Sequence, residues 1–171
     1  MLAKILILIL VTFIPALELR ASIPLGILSG QINIFSLRLQ GFGLNFILVF
    51  AICVISNIIL GILVYFFLDK FVKHLMHLKL FAKYYNRKVK KTQKKIGPYV
   101  EKYGTLGISM FIGLPIPGSG SYTGALGAYL LGLGYKKFIA ANIIGVIAAG
   151  VIVTMLTLTG IGFFQCLIPF N

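Results

Sequence analysis

Glu18 and Arg20 are the residues in this sequence best equipped for chemistry. They stand two apart, just after the 13-residue apolar run Ile5 to Leu17. A charge held in hydrocarbon costs at least about 3 kcal/mol, so such groups face one another, an aqueous path or the interface. Burial favours a neutral carboxyl, whereas a neighbouring guanidinium favours a charged one. A carboxyl between these influences can carry a proton, and the guanidinium can hold an anionic group. The same two residues could equally cap a short helix at the membrane interface. The second capable stretch is Gly113-Leu-Pro115-Ile-Pro117-Gly118-Ser119-Gly120, followed by Ser121, Tyr122 and Thr123. It offers free backbone N–H groups at a helix start, a setting that suits anions, and a row of hydroxyls. No Gly-Lys-Ser/Thr follows, so it is not a nucleotide-binding phosphate loop. The plainer reading is a Pro/Gly hinge without a ligand.

The remaining reactive side chains do not assemble into a catalytic set. His74 and His77 are spaced for one helix face, but no third ligand lies nearby. Cys53 and Cys166 sit in apolar runs, as small hydrophobes do. No Ser/His/Asp set, carboxylate dyad or metal cluster is present in the pattern. The expectation is a protein that is not an enzyme, with no cofactor and no metal.

Composition decides what kind of scaffold must position these groups. The chain has 171 residues, 59% of them apolar and only 11% charged, against about 25% charged in soluble domains. It nevertheless carries a formal charge of +13. Such a chain can be neither a soluble enzyme nor a disordered tail. Eleven of its sixteen Lys and Arg residues fall between Lys70 and Lys102. With the rest of the chain compatible with lipid, this block reads as a cytoplasmic connector under the positive-inside rule, not as a nucleic-acid surface. The expected location is the cell (plasma or inner) membrane, crossed more than once.

Two uncharged segments, 42–68 and 138–165, are long enough to cross about 30 Å of hydrocarbon as helices. The regions before them are not. Region 1–38 is interrupted by Pro15, Pro24, Gly26 and Gly30, and region 98–134 by the Pro115–Gly120 motif. Proline removes a backbone donor and drives the preceding residue out of the helical region. Unwound backbone is tolerated at membrane depth only where protein covers it or water reaches it. Both regions therefore read as broken, re-entrant hairpins. A signal peptide is the alternative for the first, although no cleavage motif follows its apolar run. A full crossing by that region is another.

The expected fold is an all-α membrane protein, an inverted repeat of broken hairpin plus long helix. A basic amphipathic helix over 69–97 joins the halves. Paired Gly/Pro-interrupted segments at matching positions are the sequence pointer to a transporter site. Residue identity between the halves is slight, Ser56-Asn57-Ile-Ile-Leu-Gly61 against Ala141-Asn142-Ile-Ile-Gly145. In the connector, Lys73, Lys83, Arg87, Lys90 and Lys94 are expected to meet anionic lipid headgroups, a coiled-coil seam being the alternative. Small residues recur every fourth position at Gly120, Gly124, Ala128 and Gly132, and again at Ala141, Gly145 and Ala149. Such faces allow close helix packing within one chain or between subunits.

Glu18-Leu-Arg20-Ala-Ser-Ile-Pro24-Leu-Gly26, with the Pro115–Gly120 motif some ninety residues on, resembles the small multidrug export protein family. The resemblance covers nearly the whole chain, and the family is similar to the DedA/VTT membrane proteins. It implies two re-entrant hairpins meeting near the midplane and an ion-coupled transport role. Glu18, Arg20, Pro24, Pro115, Pro117, Gly118, Ser119 and Gly120 would line the substrate and ion path. The leading expectation is a secondary transporter or exporter of small or amphipathic molecules, driven by protons. A lipid-phosphate flippase or scramblase is the second reading, though residues 104–134 lack the Arg that DedA-type hairpins carry. A membrane structural or anchoring module is the third. The expected partners are membrane lipids and a small-molecule or lipid substrate, with no nucleic acid; homo-oligomerisation is left open.

Overall fold

The structure is a computed structural model, and it describes residues 1–15, 17–29, 31–34, 37–75, 100, 102–116 and 119–159. Two short helices open the chain, α1 (Leu2–Phe13) and α2 (Glu18–Ile27). A small antiparallel ribbon follows, β1 (Gln31–Ile34) and β2 (Leu37–Gln40), and then the long helix α3 (Phe46–Leu75). The second half has α4 (102–113), α5 (Ser121–Leu131) and the long helix α6 (Tyr135–Leu158). At 1.5 Å per residue, α3 and α6 measure about 45 and 36 Å, both more than the roughly 30 Å of hydrocarbon. The short helices α1, α2 and α5 reach only about 15–18 Å each and cannot cross alone. Each half thus runs short helix, short helix, long helix.

The ribbon departs from the expectation of a broken helical hairpin over 1–38. Residues 31–34 and 37–40 alternate polar and apolar, which is the period of a strand. The register places Ile32 opposite Leu39 and Asn33 opposite Arg38. The chain then returns to satisfy the open end of α2. Phe42, Gly43 and Leu44 donate their N–H groups to the Leu25, Leu28 and Gly26 carbonyls at 2.9, 3.0 and 2.9 Å. Those are carbonyls that a helix end leaves without partners. Asn45 caps the start of α3, its Oδ1 accepting from Ile47 N at 2.9 Å.

Helix α3 continues through Asp69 and Lys70, past the expected end at 68. No Gly or Pro intervenes before Gly97, so charge alone does not end it. The rest of the basic helix expected over 69–97 lies outside the described residues, apart from 69–75 within α3. Helix α6 begins three residues before the expected 138, because the Gly132–Gly134 turn sets its start. Gly132 takes φ 78°, and Leu133 N and Gly132 N close α5 on the Ala128 and Tyr129 carbonyls, the bonding pattern of a Schellman end.

A buried apolar core that includes Leu8, Ile23, Ile112 and Phe138 is surrounded by an outer surface that is itself apolar. Ile47, Ile55, Phe66 and Phe67 on α3 and Ile144, Ile147 and Met155 on α6 are turned outward. Glu18, Arg20, Asn57, Ser121 and Asn142 are buried. Lipid tails suit the first set, and mutual hydrogen bonding suits the second. Helix α2 packs on both α3 and α6, and α5 packs mainly on α3. The small-residue faces work within the chain. A Cβ at Gly145 would stand 2.7 Å from both the Ser109 carbonyl oxygen and Ile112 Cβ, so glycine lets α4 close onto α6.

One aromatic cluster pins the second half to α3. Tyr65 stacks on Phe138 with centroids 4.7 Å apart and meets Tyr129 edge-on at 5.7 Å. Its hydroxyl donates to the Leu133 carbonyl at 2.6 Å. Tyr65→Phe keeps the ring but leaves that buried carbonyl without its donor, so it should cost about 1 kcal/mol and lower Tm by a few degrees. Thermal unfolding in detergent checks this; an unchanged Tm would mean that the bond does not hold the turn.

Candidate functional site

The site forms where the ends of two short-helix pairs meet. Residues 14, 15 and 17 lie between α1 and α2, and residues 114–116, 119 and 120 lie between α4 and α5. Glu18, the first residue of α2, has φ 40°, in the left-handed region that a non-glycine residue rarely adopts. Such strain persists only where the surroundings enforce it. Here it accompanies a side chain directed at another helix. The Glu18 carboxylate accepts from Ser121 N (3.2 Å to Oε2) and Tyr122 N (3.4 Å to Oε1), at the start of α5. It also accepts from Asn57 Nδ2 of α3, at 3.3 Å.

Helix α5 has no capping side chain of its own, its N-cap being Gly120. The exposed N–H groups and partial positive charge of a helix start attract an anion. Glu18, 103 residues earlier in the sequence, supplies that anion. The anion-friendly loop expected from the sequence is therefore filled by the chain's own carboxylate.

Arg20 binds the same opposite turn. Its Nη2 donates to the Ser119 carbonyl at 2.5 Å and to Ser119 Oγ at 2.9 Å. Ser119 Oγ also lies 2.5 Å from the Leu114 carbonyl and 2.8 Å from that of Ile116, which ties the loop into a knot. Tyr122 adds a third link, its hydroxyl donating to the Phe13 carbonyl at the end of α1 at 2.5 Å. Glu18 and Arg20 are each only 8% exposed. The Arg20 bonds, and two of the three to the Glu18 carboxylate, run across the junction to the other helical pair.

The long helices support this junction through matching asparagines. Asn57 of α3 bonds Glu18, the first residue of α2. Asn142 of α6 bonds Ser121, the first residue of α5, its Oδ1 accepting from Ser121 Oγ at 3.1 Å. Asn142 Nδ2 donates in turn to the Ile58 carbonyl of α3 at 3.1 Å. A Cβ at Gly61 would lie 2.5 Å from Asn142 Oδ1, so glycine is needed where α3 passes that amide. A narrow cleft borders Glu18, Arg20, Asn57, Pro115, Gly120 and Val153.

Of the residues expected to line a path, Glu18, Arg20, Pro115, Ser119 and Gly120 come together here. Pro24 is buried within α2, where it supplies no N–H to the Arg20 carbonyl. Pro117 and Gly118 lie outside the described residues, as do Lys83, Arg87, Lys90 and Lys94; Lys73 falls near the end of α3. Among the described residues, no three His, Cys, Asp or Glu side chains are grouped to hold a metal. Sequence reasoning passed over Asn57 and Asn142 as site residues. The available signal was an isolated amide in each otherwise apolar span, at the one place where the two halves align.

The match to the model of the family described as "Putative small multi-drug export protein" extends over residues 18–152, beginning at Glu18. No curated protein and no solved structure matches the chain. Gly120 gives the geometry a direct check. It has φ 142°, and a Cβ there would lie 2.8 Å from the Glu18 carboxyl carbon. Gly120→Ala should therefore cost at least about 2 kcal/mol, from backbone strain and overpacking together. An unchanged Tm for that variant would mean that Glu18 is not seated on α5. With most of its length covered, and with two helices able to span a membrane, the chain belongs to this family of small multidrug export proteins.

Proposed function

We propose that the chain is a proton-coupled secondary transporter that exports small or amphipathic molecules by alternating access between its two helical pairs. Each pair is a re-entrant hairpin, and the two halves form an inverted repeat whose tips meet inside the membrane. The observation carrying this reading is the clamp across the tips: Glu18 on the N–H groups of Ser121 and Tyr122, Arg20 on Ser119. Helices about 15–18 Å long, folded back in pairs beside two longer ones, fit hairpins that enter without crossing. The family's description supplies the export class.

The mechanism follows from what a proton does to that clamp. Charged, Glu18 attracts the start of α5 and only accepts hydrogen bonds. Protonated, it loses that attraction and gains an O–H that the Ser121 and Tyr122 N–H groups cannot receive. The tips then part about the Pro115–Gly120 hinge, and the cleft opens to substrate. Arg20 holds an anionic group or steadies the Glu18 charge when the loop moves away. Release of the proton on the opposite side restores the clamp. The basic connector, with Lys73, Lys83, Arg87, Lys90 and Lys94 against lipid headgroups, is assigned to the cytoplasmic side by the positive-inside rule.

Reconstitution of the full chain in liposomes tests this, with ethidium as the transported probe and a pH dye inside. Wild-type vesicles should show ethidium flux accompanied by proton movement, and Glu18→Gln should abolish both. Proton-coupled flux that survives unchanged in Glu18→Gln would remove Glu18 from the mechanism.

A further inference from the structure

The two matching asparagines differ in one respect. Asn142 has both ends of its amide bonded, Oδ1 by Ser121 Oγ and Nδ2 to the Ile58 carbonyl. Asn57 has its Nδ2 bonded to Glu18, while its buried Oδ1 has no partner. Asn57 is 2% exposed, so that oxygen is shielded from bulk solvent. It borders the same cleft as Glu18. An acceptor left over beside a carboxylate is an acceptor short of one proton.

We propose that Asn57 is the positioning residue that lets Glu18 exist in both protonation states, by rotating its amide as the proton comes and goes. This rests on the proton-coupled reading and names the device that serves it. While Glu18 is charged, Nδ2 must face it, because a rotated amide would set oxygen against oxygen at about 3.3 Å with no proton between them. When Glu18 takes a proton, its O–H needs an acceptor, and the backbone N–H groups of Ser121 and Tyr122 cannot provide one. A half-turn about the Cβ–Cγ bond brings Oδ1 to that O–H and moves Nδ2 to where the unpartnered oxygen stood. An asparagine carries donor and acceptor on one terminus and can serve both states from a fixed backbone position. The amide bordering the cleft thereby changes from acceptor to donor with the proton. By reciprocity, a polar substrate group that prefers one of these favours the corresponding state of Glu18.

Among the described residues that border the cleft, no other titratable group is free to take this role. Arg20 on α2 is bonded to Ser119, and the Tyr122 hydroxyl on α5 is bonded to the Phe13 carbonyl. The α4 and α6 residues bordering the cleft are Ile112, Ala149 and Val153, all apolar.

Infrared difference spectra of the purified full chain in lipid nanodiscs, recorded across a pH titration, test the proposal. Loss of the protonated-carboxyl band in Glu18→Gln assigns Glu18. Loss of a side-chain amide band in Asn57→Leu, or in Asn57→Ser if that variant does not fold, assigns Asn57. The two bands should change together with one midpoint, and the amide shift should vanish in Glu18→Gln. A Glu18 band that titrates while the Asn57 amide stays fixed would overturn the proposal and leave proton coupling standing. No Glu18 acid band at any pH would overturn both. A merely structural Asn57 would lower the stability of its variants without moving with Glu18.

Discussion

The start of α5 has no cap in its own sequence, and the structure depends on how that need is met. A helix end inside the protein with unsatisfied N–H groups is costly in a medium without water. Glu18 is a buried carboxylate that would be equally costly alone. Each removes the other's penalty across 103 residues of chain. The backbone of Glu18 accepts an unfavourable φ in this arrangement, and Gly120 gives up its side chain to make room. Arg20 then secures the loop that presents α5, through Ser119.

Around this junction the packing follows the rules of lipid. Apolar side chains cover the outside, where they lose nothing, and association comes from glycine-mediated contact and buried hydrogen bonds. Gly145 admits α4, Gly61 admits the Asn142 amide, and Tyr65 fixes the turn between α5 and α6. The two long helices thus act as supports, each lending one asparagine to the first residue of a short helix. The arrangement concentrates polarity at one place and leaves the rest of the chain greasy, which is why a charge of +13 says so little about the site.

Much of this was legible in the residues. The apolar runs announced α3 and α6, and the Pro/Gly interruptions announced the short helices and the loop at 114–120. The rarity of acids directed attention to Glu18. The β-ribbon was missed because its four-residue alternation lies inside a stretch dominated by Pro24, Gly26 and Gly30. The asparagines were missed for a different reason. Their value comes from long-range partners, Glu18 for Asn57 and Ser121 for Asn142, and no local pattern encodes such a meeting. For the same reason the loop's N–H groups read as a vacancy for an outside anion. Only the three-dimensional structure reveals that the chain fills it.

Hydrogen exchange at the Ser121 and Tyr122 backbone amides tests the central claim most directly. In the wild-type chain both amides should exchange slowly at neutral pH, because the Glu18 carboxylate holds them. In Glu18→Gln they should exchange markedly faster, while the Gly124 amide, bonded within its own helix to Gly120 at 2.8 Å, should change less. Equal protection of Ser121 and Tyr122 in the two proteins would contradict the account.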